Sequence, residues 1–220
     1  MTADGQKLDL VSSYKYLGFW TDSSLSFTEH LSFLQSKVKT RLSFLYRNRS
    51  LFTATSKSSL VQLTVLPLFD YGDVIYRSAS KGALERLNVL YHSAIRFAPY
   101  RTHHCDLYTL INWSPLEIRH NIHWLMLVFK TLLGLTPPYL TQLLHLHPPP
   151  IHNTRSAPLI LLNAPRAHSS LGHASFQVAA ADSLNQLQKS LQLQILISVN
   201  SFKHVISKSL KYTCSYPSQS

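Results

Sequence analysis

Tyr14-Lys15-Tyr16-Leu17-Gly18-Phe19-Trp20-Thr21-Asp22, followed shortly by the basic stretch 28–49, is where two hydrophobic periods meet and where the fold is decided. Between residues 7 and 27 the period is two. Leu8 and Leu10 alternate with polar residues, Ser12-Ser13 breaks the run, and Tyr14, Tyr16 and the Phe19-Trp20 pair resume it, which predicts a β-hairpin. Gly18 inside the second of these strands predicts a bulge or a close backbone approach, since a missing side chain weakens an ordinary strand interior. From Thr28 the period becomes helical. Thr28 is a candidate N-cap with Glu29 in the first turn, and Leu31, Leu34, Val38, Leu42 and Leu45 recur at three- and four-residue steps. The polar side of that helix carries Lys37, Lys39, Arg41, Arg47 and Arg49, and no acidic residue occurs between Glu29 and Asp70. Two readings stay open at this point: a cationic face for a polyanion, or an ordinary solvated helix surface.

Downstream, Thr55 or Ser56 is read as the cap of a second helix carrying Leu60, Leu63 and Val65, which Pro67 should kink or end. Residues 81–97 read as a third helix burying Leu84, Leu87, Leu90, Tyr91 and Ala94. Ser114, Pro115 and Glu117 combine an N-cap, a first-turn proline and a capping-box acid, so a long apolar helix should run from there to about residue 133, with Gly134 as its C-cap and Pro137-Pro138 as its stop. Residues 107–113 suggest a short helix before it. A proline-rich link follows, then Leu159-Ile160-Leu161-Leu162 as one strand, a polar-apolar helix over 171–191 and a last basic helix over 202–212. The expected fold is mainly α. A palm-edge hairpin remnant (1–27) precedes a helical thumb-like domain (28–146), a proline-rich linker (147–168) and a loosely structured helical extension (169–220).

With 220 residues, 45% of them hydrophobic and a mean hydropathy near zero, the chain has the material for one respectable core or a domain with a weaker tail. Its 21 basic against 10 acidic residues give a net charge of +11, which suits an anionic partner. Cys105 and Cys214 are far apart and form no Cys-x-x-Cys pair, so neither a zinc ribbon nor a disulfide scaffold is encoded. The polar start Met1-Thr2-Ala3-Asp4-Gly5-Gln6-Lys7 lacks the apolar segment of a secretory signal. The longest apolar stretch, 122–135, is roughly 14 residues, short of the ~20 needed to cross a bilayer. The expectation is an intracellular protein, nuclear or cytoplasmic, with no membrane contact.

Few residues suggest catalysis. Asp70 and Asp73 are closely spaced carboxylates in an apolar setting, and two-metal phosphoryl transfer needs carboxylates converging on ions about 4 Å apart. Such a site also needs a further acid on another strand, and no adjacent Asp-Asp occurs anywhere, so a pair of polar residues at a turn or helix end is the favoured reading. His103-His104-Cys105-Asp106, with His92, His120 or His123, is the best candidate for a metal, against the fixed ligand-pair spacing that structural zinc prefers. There is no Gly-x-Ser-x-Gly elbow and no glycine-rich phosphate loop. Phe44 and Tyr46, interleaved with Arg47 and Arg49, suit stacking on bases as well as core packing.

Taken in order, Tyr14-Lys15-Tyr16-Leu17-Gly18, Phe44-Leu45-Tyr46-Arg47-Asn48-Arg49, Leu66-Pro67-Leu68-Phe69-Asp70-Tyr71-Gly72-Asp73-Val74-Ile75-Tyr76, Tyr91-His92-x-Ala94-x-Arg96-Phe97, Thr102-His103-His104-Cys105-x-Leu107-Tyr108 and Tyr139-Leu140 resemble the C-terminal part of reverse transcriptases from LINE-type, non-long-terminal-repeat retrotransposons. The resemblance spans roughly residues 10–208. It implies that Tyr16, Leu17 and Gly18 are a primer-grip-like element at the palm edge. The following helices would be a thumb, with Lys37, Lys39, Arg41, Arg47 and Arg49 on the nucleic-acid backbone. Such a thumb neutralises phosphates without reading sequence.

Departures from the family pattern carry expectations too. The family's metal-binding aspartates have no counterpart here, so no catalysis, metal or cofactor is expected of this chain. Leu184-Asn185 stands where relatives have a Trp-Asn pair, which fits an unselected copy. The leading expectation is a truncated reverse-transcriptase fragment that at most binds RNA or RNA-DNA duplex nonspecifically. The alternatives are an adopted helical protein-interaction module, and a part of an RNA-directed DNA polymerase completed by a palm supplied elsewhere, with the remaining reverse-transcriptase domains as partners.

Overall fold

The computed structural model describes residues 11–97, 108, 113–147 and 159–210. The protein is mainly α with an antiparallel β-hairpin near its N-terminus, as the two hydrophobic periods require. It divides into two compact units, residues 1–116 and 117–220.

In the first unit, β1 (Ser13–Tyr16) pairs with β2 (Phe19–Asp22) in the register Ser13 to Asp22 and Tyr16 to Phe19. The two-residue connection is Leu17-Gly18, both at positive φ (46° and 88°), the sign pattern of the type I′ turn whose twist matches a hairpin. Gly18 is therefore the turn itself and not a bulge inside the second strand; Leu8 and Leu10 lie outside the described residues.

α1 (Thr28–Arg47) buries Leu31, Leu34, Val38, Leu42 and Leu45, the stripe read from the sequence, together with His30. Its start differs from expectation. Thr28 is already helical, and the N-cap is Phe27, in the left-handed region at φ 54°. The hydroxyl of Ser26 accepts the Thr28 N–H, and the carboxylate of Asp22 accepts the backbone N–H and hydroxyl of both Ser24 and Ser26 at 2.7–3.0 Å. Those bonds hold a loop with two left-handed residues, Leu25 and Phe27. They also hold the Asp22 carboxyl well below the usual carboxylate range, the Ser24 hydroxyl contributing most.

α2 (Ala54–Thr64) is capped by Thr53, whose hydroxyl accepts the Ser56 N–H, so neither Thr55 nor Ser56 is the cap. Its inward residues are Lys57 and Val61, one turn apart; Leu63 points outward because it lies two residues from both Val61 and the buried Val65. The chain breaks at Val65, and α3 (Leu66–Asp70) starts with Pro67 in its first turn, where a missing N–H is harmless. α4 (Lys81–Phe97) has the expected bounds and packs along α1. Ala83, Leu87, Tyr91, Ala94, Ile95 and Phe97 are its buried residues, with Leu84 and Leu90 only partly covered.

In the second unit, α5 (Leu116–Leu132) ends as the sequence indicates. Gly134 sits at φ 70°, the Leu135 N–H reaches the Lys130 carbonyl, and the Gly134 N–H reaches the Thr131 carbonyl, a Schellman closure. A short turn of helix, α6 (Pro138–Thr141), follows. The apolar run from Leu159 makes only an isolated antiparallel bridge, Leu162 to Leu146, in place of the expected strand. The expected helix over 171–191 is broken at Ser175 into α7 (Ser170–Ala174) and α8 (Phe176–Leu191), and α9 is Val199–Ser209, capped by the Ser198 hydroxyl. The core here joins Phe129 stacked on Phe202 (3.9 Å, 8°), Trp124 edge-on to Phe176 and bonded to the Ser183 hydroxyl (3.0 Å), and Val178, Ala181, Leu184 and Ile206. No helix among the described residues is long and apolar enough to cross a membrane.

Candidate nucleic-acid interface

The hairpin turn is held by residues more than fifty positions away. The Tyr71 hydroxyl donates to the Leu17 carbonyl at 2.6 Å, and the Tyr71 ring stacks on Phe19 (5.2 Å between centroids, 19°). Phe19 is buried, tilted against His30 at 4.6 Å, and seated where a side chain on residue 72 would stand: a Cβ there would lie 1.9 Å from its Cζ. Gly72, at φ 64°, is the glycine this packing requires. Tyr16 and Leu17, by contrast, are 63% and 71% exposed, as is Tyr14 at 63%. The primer-grip-like residues thus sit at an exposed tip whose base is locked into the core. Phe19, next along the hairpin, is buried, and Trp20 is half-buried.

Of the basic candidates, Lys37, Lys39, Arg41 and Arg47 are exposed. Lys37 and Arg41 stand one helical turn apart on one flank of α1, with the exposed rings of Phe33 and Phe44 one turn to either side. Lys39, two residues from each, points away from that flank. Arg47 ends the helix and bonds the Ser43 carbonyl at 3.3 Å; half-buried Arg49 opens a 3₁₀ turn (Arg49–Leu51), its guanidinium 5.8 Å from the Tyr46 ring. The hydroxyl of Tyr46 itself is bonded to the Ser93 carbonyl at 2.8 Å, so this ring braces α1 against α4. Phe44 is the ring left facing solvent.

Sequence reasoning missed Lys15. Its ammonium lies 5.0 Å from the Phe33 ring and 5.6 Å from Trp20, and Lys37 approaches the same Phe33 ring at 6.0 Å. Its alternation with Tyr14 and Tyr16 was the one available signal.

Asp70 ends α3, while Asp73 is buried and accepts the Val74 N–H at 2.8 Å. Burial first, then the charges of Asp73 and Asp70, push the Tyr76 hydroxyl far above its ordinary pKa, and that hydroxyl donates to the Phe69 carbonyl at 2.6 Å. His103, His104, Cys105 and Asp106 lie outside the described residues, as does the expected 107–113 helix apart from Tyr108 and Trp113, and His92 meets the Tyr108 hydroxyl at 3.1 Å. No group of three or more His, Cys, Asp or Glu among the described residues is placed to hold a metal.

Known proteins share part of this chain. Over 99 residues it is 30% identical to the RNA-directed DNA polymerase from mobile element jockey of Drosophila funebris and 26% identical to that of Drosophila melanogaster, in each case 44% of this chain and 11% of the relative. Over 126 residues it is 29% identical to the probable RNA-directed DNA polymerase from transposon BS of Drosophila melanogaster, 54% of this chain and 14% of the relative. This chain contains a region related to LINE-type reverse transcriptases. It spans between about a ninth and a seventh of the length of these relatives. No family model matches the reverse-transcriptase-related chain, and no solved structure does.

Proposed function

We propose that this chain is a nucleic-acid-holding fragment of a LINE-type reverse transcriptase, gripping the backbone of RNA or RNA-DNA duplex without reading its sequence and performing no polymerisation alone. The observation that carries this is the flank of α1: Lys37 and Arg41 side by side in solvent, on a helix whose other side is core, with no carboxylate in the sequence between Glu29 and Asp70. Phosphate neutralisation by such a pair gives affinity that falls steeply with salt and ignores base identity. The absence of polymerisation is supported by the placement of Asp73, which is buried and engaged with the neighbouring backbone. The exposed Tyr14, Tyr16 and Leu17 would meet the remaining reverse-transcriptase domains.

The test is fluorescence anisotropy with labelled RNA-DNA duplexes of unrelated sequence across a salt series. Replacing Lys37 and Arg41 together by glutamine should weaken all duplexes alike and make the log-log salt slope shallower by about 2. An unchanged slope places the contact elsewhere. Primer extension with magnesium and dNTPs tests the other half, and any product from this chain alone would refute it.

A further inference from the structure

Two ammonium groups from separate elements converge on one phenyl ring. Lys15, in the middle of β1, is paired across the hairpin with Trp20, and its Nζ lies 5.0 Å from the Phe33 centroid; Lys37, one turn after Phe33 on α1, brings its Nζ to 6.0 Å. A two-stranded hairpin is marginal alone, so nothing local compels Lys15 to lie there. What compels it is the docking of the hairpin: the bond from Tyr71 to the Leu17 carbonyl, the stacking of Phe19 on Tyr71, and the space left by Gly72.

We infer that Lys15 and Lys37 form a composite phosphate site for a nucleic-acid strand, assembled by docking of the hairpin on α1, with Tyr71 as the positioning residue. The inference rests on the backbone grip proposed above and adds a second element and a new cation to it. Like charges held near one ring repel; the ring's quadrupole offsets part of that repulsion, and a phosphodiester between them offsets more. A strand suits this site better than a free anion, because the rings of Phe33 and Trp20 offer apolar surface to the ribose or base beside the phosphate. Glu29, the nearest acid in sequence on α1, lies one turn toward the helix start, where its charge complements the helix dipole. Asp22, in β2, is turned into its serine loop and its oxygens are taken by Ser24 and Ser26.

The experiment uses the full chain and the same RNA-DNA duplex in a salt series, with hydrogen exchange as a second readout. Lys15→Gln should weaken binding several-fold and reduce the salt slope by about 1. Tyr71→Phe changes no charge and keeps the ring on Phe19, yet it should produce the same loss and the same change of slope. It should also speed exchange over residues 13–22 while leaving α4 unchanged. The double variant should be no weaker than either single one, since both remove the same contact. Tyr91→Phe, which deletes another tyrosine-to-backbone bond (to the Ser114 carbonyl, 2.6 Å), should leave affinity unchanged at equal folded fraction. If the unaltered chain fails to bind at low salt, the backbone grip falls and this site with it. Binding whose slope ignores Lys15→Gln overturns the composite site alone. A Tyr71→Phe chain that binds normally, or losses that simply add, overturn the positioning role.

Discussion

Replacing Gly72 by alanine should undock the hairpin, and the size of the effect follows from the packing. A Cβ at residue 72 would lie 1.9, 2.6 and 2.9 Å from three ring carbons of Phe19, distances no carbon pair sustains, and the backbone there is at φ 64°. The left-handed conformation alone costs an alanine about 1–2 kcal/mol. Expelling Phe19 removes a buried ring, with its stacking on Tyr71 and contact with His30, and loses about 1.5–3 kcal/mol more. The total is roughly 2.5–5 kcal/mol, limited by the docking energy of the hairpin, which can leave as a unit. Gly134 provides the internal comparison: it is also left-handed, at φ 70°, but a Cβ there meets nothing within 4 Å, so Gly134→Ala should lose only the backbone part. Native-state hydrogen exchange, read for each variant within its own unit, separates the two losses. If both variants lose the same free energy, or if residues 13–22 stay protected in Gly72→Ala, the reasoning about the Phe19 seat is wrong.

Two further outcomes are expected. Asn185→Ala should destabilise the second unit by about 2–4 kcal/mol in urea unfolding, because it leaves both the N–H and the carbonyl of buried Leu162 without the side-chain amide that bonds them at 2.8 and 2.9 Å. His30 is buried between Phe19 and Tyr76, neither ring nitrogen has a hydrogen-bond partner among the described residues, and burial lowers its pKa from the ordinary 6.5. The unfolded chain then takes up a proton that the folded chain resists. Stability should therefore hold above pH 6.5 and fall as the pH drops below it; urea midpoints at a series of pH values should show that fall in the natural chain and a smaller one in His30→Leu.

The helices were legible where a single element decided its own inward face. The stripe on α1 is five apolar residues at three- and four-residue steps, and each is buried. Legibility failed where a distant residue chose the conformation. Leucine at positive φ is disfavoured, so Leu17 reads as strand and Gly18 as a bulge until the hydroxyl of Tyr71 is seen holding the Leu17 carbonyl. Thr28 satisfies every local rule for an N-cap, but the four bonds into Asp22 had already shaped the approach to the helix one residue earlier. Lys37 and Arg41 were found because a helix makes them neighbours by spacing. Lys15 was not, because its nearness to Phe33 depends on tertiary docking that no period encodes.

The second unit shows how a correct apolar pattern can still mislead. Leu159-Ile160-Leu161-Leu162 reads as a strand, yet its backbone partners are divided between main chain (His147 N–H to the Leu161 carbonyl, Ile160 N–H to the Leu193 carbonyl) and side chains. Asn185 both donates to and accepts from Leu162 as a neighbouring peptide unit would, and Gln188 bonds the Ile160 carbonyl while accepting the Leu193 N–H. One turn of a helix, α8, thereby takes the place of a second strand for Leu162 and the Ile160 carbonyl, while the Leu161 carbonyl is met by His147. Leu184 and Asn185 are neighbours on this helix. The two positions have separable tasks: Leu184 fills core, while Asn185 supplies two hydrogen bonds that only an amide can make together. Truncating Leu184 would leave a cavity in the core, whereas a side chain at 185 without the amide's donor and acceptor would orphan buried backbone.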